Sequence, residues 1–112
     1  MAGTLQWMAP ELLAGSTDYY LEVDVYAYGM LLFEIMCFEP PFADVGAADV
    51  HRLVLDDGCR PEVDADPALA PLEGLARACW AQEPGRRPSF AFLVDALGAM
   101  QHGCGHGDAT NF

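Results

Sequence analysis

From Asp24 to Phe38 the chain reads DVYAYGMLLFEIMCF, a stretch in which Glu34 alone breaks the apolar character that follows Asp24. A helix that is apolar on nearly every side has no face to give to water, so it belongs in the middle of a domain with other elements wrapped around it. Asp24 is placed to cap its start. Pro40 and Pro41 end it, because proline cannot donate to the preceding turn and restricts the residue before it. The run from Val25 to Met36 is too short to span a bilayer, carries Glu34, and is bounded by Asp24 and Glu39.

The flanking sequence supplies the wrapping. With 112 residues, 53% of them apolar, the chain has the material for one small domain with a core. Ala9 to Leu13 reads as one short helical turn with Pro10 near its first position, followed by a Gly15-Ser16-Thr17-Asp18 loop. Residues 46–55 read as a modest amphipathic helix stopped by Asp56-Asp57-Gly58. The proline- and acid-rich stretch from Cys59 to Pro71 reads as an ordered loop. Leu72, Leu75, Ala76 and Cys79 follow the spacing of a helix with one buried face, and Phe90, Leu93, Val94 and Leu97 repeat it after the sharp connection Glu83-Pro84-Gly85-Arg86-Arg87-Pro88. No strand-like alternation and no internal repeat occurs. The fold class expected is mainly α, with a domain over residues 1–100 and a flexible tail over 101–112.

Charge narrows the partners. Seventeen acidic residues against five basic ones give a net charge of −12, which repels phosphate backbones and anionic membrane surfaces, so neither nucleic acid nor membrane is an expected partner. All five basic residues are arginines, Arg52, Arg60, Arg77, Arg86 and Arg87, and the chain has no lysine. Cys37, Cys59, Cys79 and Cys104 match neither paired metal knuckles nor a dense disulfide framework and read as reduced thiols. His51, His102 and His106 lack metal-ligand spacing and partners, so no metal is expected. The opening MAGTLQWMAPELL lacks the charged start and continuous apolar stretch of an export signal, and a cytoplasmic location is expected.

Three ordered motifs carry a resemblance. Gly3-Thr4-Leu5-Gln6-Trp7-Met8-Ala9-Pro10-Glu11 resembles the end of a protein kinase activation segment with its APE motif. Asp24-Val25-Tyr26-Ala27-Tyr28-Gly29 is similar to the start of the central helix of the kinase lower lobe. Cys79-Trp80, Glu83-Pro84 and Arg87-Pro88-Ser89-Phe90 resemble the junction of the lobe's last two helices in tyrosine-kinase-like and tyrosine kinases. The resemblance implies the helical C-lobe from the activation segment onward, with the helices the family letters EF, F, G, H and I, and with the N-lobe absent. The kinase signature also requires a Gly-rich loop, a strand lysine, an HRD loop and DFG, and none is present. His51-Arg52-Leu53 has leucine in place of the aspartate, and Gly103-Cys104-Gly105-His106-Gly107 follows the last helix rather than opening one. No catalytic and no cofactor-binding residue is therefore expected in this chain, which alone should be inactive, and ATP and magnesium belong to the intact domain.

The resemblance also implies roles. Gly3, Thr4, Leu5, Trp7 and Met8 line the edge of the pocket for a protein substrate; a threonine at the Thr4 position is typical of serine/threonine specificity, with tyrosine specificity a minor option. The plainer readings are a solvated loop threonine, and simple packing for Trp7 and Met8. Ala9, Pro10 and Glu11 anchor the segment, Glu11 through a buried ion pair with Arg87. Asp24 is either a helix cap or an anchor for a catalytic loop outside this chain, in which case the helix face meant to support that loop lies exposed. Gly29 and Trp80 are structural. Residues 46–57 form a docking surface in many relatives, against the plainer reading of a solvated face carrying Asp49, His51, Arg52, Asp56 and Asp57. The function expected is substrate-side and scaffold support for phosphoryl transfer to Ser/Thr, the alternatives being a non-catalytic interaction module or a pseudokinase remnant.

Overall fold

A computed structural model describes residues 2–16 and 20–105, with side chains described for residues 5–16 and 20–100. Among them lie five α-helices, α1 (Pro10–Leu13), α2 (Leu21–Cys37), α3 (Ala47–Leu55), α4 (Ala70–Cys79) and α5 (Phe90–Gly105), with 3-10 turns at Ala2–Trp7, Pro67–Leu69 and Pro84–Arg86 and no strand. The fold is mainly α.

The central position expected for the apolar helix is found. Along α2, Val23, Val25, Tyr26, Gly29, Met30, Leu32, Phe33 and Met36 are buried. Burial of so many large side chains is the main force holding the lobe together, at about 1.5–3 kcal/mol for each large apolar group. The start of α2 corrects the sequence reading. Its N-cap is Tyr20, in extended backbone, and Asp24 sits inside the first turn beside Glu22. Val23, only 6% exposed, draws the extra turn into the core, which outweighs the local capping preference of an aspartate. In the first turn a carboxylate still complements the positive end of the helix.

The rest of the lobe closes around α2. Gly29 lets α4 cross it: a Cβ there would lie 2.8 Å from Cys79 Cβ and 3.0 Å from the Ala76 carbonyl oxygen. On α4 the buried residues are Leu75, Ala76 and Cys79, as their spacing predicts. α3 packs on α1 and on the first 3-10 turn, and its buried residues are Val50 and Val54. On α5, Leu93 is buried and Ala96, Leu97 and Met100 pack against the core, whereas Val94 is 68% exposed. Val94, and with it Phe90 at 36% exposed, therefore departs from the expected face: the side that packs on the core carries 93, 96, 97 and 100, and the residue next to 93 is turned about 100° away. Ser89 caps α5 by accepting from the Phe92 N–H at 3.1 Å. The backbone of α5 runs to Gly105, past residue 100.

One stripe of α2 stays uncovered. Leu31 and Ile35 are 45% and 55% exposed, in line with Phe38 at the helix end and half-buried Tyr28.

Candidate functional site

The segment that opens the chain is laid onto the lobe by two side-chain links. Leu5, Trp7 and Met8 are half-buried and pack against the core. The Trp7 indole N–H donates to Glu34 Oε1 at 2.8 Å. Glu34 is the single acid in the apolar body of α2, and a charge-assisted bond gives it a reason to be there. Gly3 and Thr4 lie in the 3-10 turn Ala2–Trp7, and the expected role of the Thr4 hydroxyl falls outside the described side chains.

Beyond Met8, Ala9 and Pro10 are buried and proline opens α1, where its missing N–H costs nothing. The next residue, Glu11, meets Arg87 across 76 positions of sequence: Nη1 donates to Oε2 at 2.7 Å and Nη2 to Oε1 at 2.9 Å. The Arg87 side chain is 0% exposed and that of Glu11 25%. A buried guanidinium is stable only if its donors are satisfied. Arg87 meets that condition: Nε donates to the Ala81 carbonyl at 2.8 Å, Nη1 also to that of Glu22 at 2.9 Å, and Nη2 also to that of Gln82 at 3.3 Å. All the N–H donors of the guanidinium are thereby used. Burial works against the Glu11 carboxylate, but the hydrogen bonds and charge of Arg87 outweigh it and hold its pKa below the ordinary 4.5.

A second arginine, which sequence reading did not single out, completes the cluster. Arg60 donates from Nε to the Trp80 carbonyl at 2.8 Å, from Nη1 to that of Cys59 at 2.8 Å, and from Nη2 to Gln82 Oε1 at 2.6 Å. Its guanidinium and that of Arg87 each lie 5.1 Å from the centre of the Tyr26 ring, within cation–π range. Burial raises the Tyr26 pKa to about 12, and the phenol oxygen has no hydrogen-bond partner. Burial lowers the pKa of Arg60. Local periodicity carries no sign of this cluster, since Arg60, Gln82 and Arg87 lie in connections between helices and meet Tyr26 only in the folded arrangement. The scarcity of cations was the available signal: in a chain with five arginines and no lysine, each buried one must be matched by acceptors.

The remaining residues fall into place as follows. Gly29 is the contact point of α2 with α4, and Trp80, 4% exposed, ends α4 and lends its carbonyl to Arg60. Asp24 lies in the first turn of α2. On residues 46–57, Arg52 pairs with Asp57 at 3.2 Å and with Asp49 at 3.9 Å, all largely exposed and so of small energetic weight. His51 is different, because its Nε2–H donates to the Leu13 carbonyl at 2.9 Å and ties α3 to α1. Burial raises the Cys79 thiol to about 11, which makes it unreactive at neutral pH. Among the described residues no group of three or more His, Cys, Asp or Glu side chains is arranged to hold a metal ion, and no helix is long and apolar enough to cross a membrane.

A family model described as protein tyrosine and serine/threonine kinase matches residues 2–97. The chain belongs to the protein kinase family. It is 36% identical over 102 residues to a probable serine/threonine-protein kinase, qkgA, of Dictyostelium discoideum, covering 87% of this chain and 6% of that protein. It is 34% identical over 103 residues to the dual specificity protein kinase shkD of the same organism, covering 91% and 14%. To a light-sensor protein kinase of Ceratodon purpureus it is 35% identical over 117 residues, covering 89% and 9%. The chain thus spans between 6% and 14% of the length of these curated relatives. In this kinase segment the Glu11–Arg87 pair joins α1 to the connection between α4 and α5.

Proposed function

We propose that this chain forms the substrate-side edge and scaffold of a serine/threonine kinase domain of the tyrosine-kinase-like group, serving phosphoryl transfer to a protein substrate. The observation that carries the reading is the bidentate, buried Glu11–Arg87 pair. A link of that kind fixes the backbone between Trp7 and Glu11, and a fixed backbone is what a substrate-positioning loop needs. Gly3 and Thr4 support the serine/threonine assignment, and the relatives' names agree with it while including one dual-specificity enzyme. ATP and magnesium would be held by other parts of the intact domain, since this chain has no lysine to meet the phosphates.

The test is phosphate transfer from ATP and magnesium to serine/threonine and tyrosine peptides. The full-length protein is expected to phosphorylate the serine/threonine peptides, with activity lost in Thr4→Val, while the 112-residue chain alone transfers none. Silence of the full-length protein, or robust transfer by this chain alone, overturns the reading.

A further inference from the structure

Gln82 lies at the centre of a ring of contacts that the kinase reading does not use. Its side-chain Nε2 donates to the Val54 carbonyl in the last turn of α3 at 3.2 Å, and its Oε1 accepts from Arg60 at 2.6 Å. Its backbone carbonyl accepts from Arg87 at 3.3 Å. The neighbouring Ala81 carbonyl takes the Arg87 Nε, so the short segment 81–82 sets where that guanidinium sits. Arg87 in turn grips Glu11 in α1, and α1 is bound back to α3 by His51 through the Leu13 carbonyl. The path α3, Gln82, Arg87, α1, His51 and α3 again is closed. Three of its links join groups far apart in sequence, 28 positions for Gln82 and Val54, 76 for Glu11 and Arg87 and 38 for His51 and Leu13, while Gln82 and Arg87 are 5 apart.

We propose that Gln82 is a positioning residue that couples α3 to the Glu11–Arg87 pair, so that the placement of the activation-segment end depends on the position of α3. A single hydrogen bond from an exposed glutamine is weak, but a closed ring shares its constraint: loosening one member relaxes the segment that supplies acceptors to Arg87. Arg60 adds to the same effect, because it holds Gln82 Oε1 while lying against the Tyr26 ring that Arg87 also faces. The consequence for catalysis rests on the proposed kinase function; the mechanical coupling does not.

Spatial continuity alone is no proof of coupling, so the test measures it. In the full-length protein, hydrogen exchange is followed at the α1 amides of Leu12, Leu13 and Ala14, which bond within α1 and its cap. Gln82→Ala is expected to speed their exchange roughly two- to tenfold, the range of one hydrogen bond. Arg60→Leu should do the same, and the double variant should show less than the product of the two. Wild-type exchange at α1, with faster exchange confined to the end of α3, overturns the proposal. Gln82→Ser takes the place of Gln82→Ala if the latter does not fold, with the same outcomes expected. Substrate kinetics separate positioning from general loosening: the KM for a protein substrate should rise with kcat retained, whereas a fall in kcat at constant KM counts against it. If the full-length protein transfers no phosphate, the kinase reading fails and the exchange result still decides the coupling.

Discussion

Gly29 in α2 and Cys79 in α4 approach so closely that a Cβ added to the glycine would stand 2.8 Å from the cysteine Cβ. The contact sets the separation of the two helices that form the middle of the lobe. Two effects oppose each other in Gly29→Ala. Alanine gains about 0.5–1 kcal/mol as a better helix former, and overpacking costs about 1–3 kcal/mol. The nearest atoms include the Ala76 backbone oxygen, which cannot rotate aside. Net destabilisation of about 1–2 kcal/mol is expected in denaturant unfolding. Gly98 in α5 is the internal comparison, because nothing lies within 4 Å of its added Cβ; Gly98→Ala should stabilise by about 0.5–1 kcal/mol.

Alkaline pH should weaken the fold through two buried groups. Burial raises the Cys79 pKa from 9.0 to about 11 and that of Tyr26 from 10.0 to about 12. A folded-state pKa above the unfolded value means that the neutral form is the one the fold prefers. The associated stability is therefore complete below the unfolded values and is lost as pH rises through the folded ones. Thermal unfolding followed from pH 8 to 12 should show a decline that begins near 9 and steepens above 10. Tyr26→Phe should remove the upper part of that decline, because no hydrogen bond of the phenol is sacrificed. An unchanged profile in this variant would contradict the assignment.

What could be read from the sequence divides along physical lines. The burial of α2, the proline that opens α1, and the faces of α3 and α4 follow from composition and period alone, because those signals are local. Asp24 marks a start for α2 that lies three residues late, since a capping preference of about 1 kcal/mol is smaller than the gain from burying Val23. Phe90 and Val94 share the apolar spacing of α5 with Leu93 and Leu97 but are exposed, because an apolar residue at that spacing serves the core only if the helix is rotated to match. The Glu11–Arg87 link was implied by family resemblance and not by spacing, as 76 intervening positions carry no periodic signal. Arg60, Tyr26 and Gln82 were missed for the same reason: their meeting is a product of how the helices cross. Glu34 was visible only as an interruption of an apolar run, and its bond to Trp7 gives that interruption its meaning.

One ion pair, Glu11 with Arg87, fastens α1 to the connection between α4 and α5. Removing Glu11 strands a guanidinium with 0% side-chain exposure, a loss of about 3 kcal/mol, the low end for a buried pair because the Glu11 side chain is 25% exposed. The depressed Glu11 pKa adds a pH signature: its stabilisation is present above the unfolded value of 4.5 and disappears as pH falls through the lower folded value. Glu11→Gln should lack that acid-side loss. The most direct measurement is a double-mutant cycle on unfolding of the intact domain with Glu11→Gln, Arg87→Met and the pair together. The predicted coupling is about 2–3 kcal/mol, with the double variant no less stable than Glu11→Gln alone. Additive effects, within about 0.5 kcal/mol, would contradict the account.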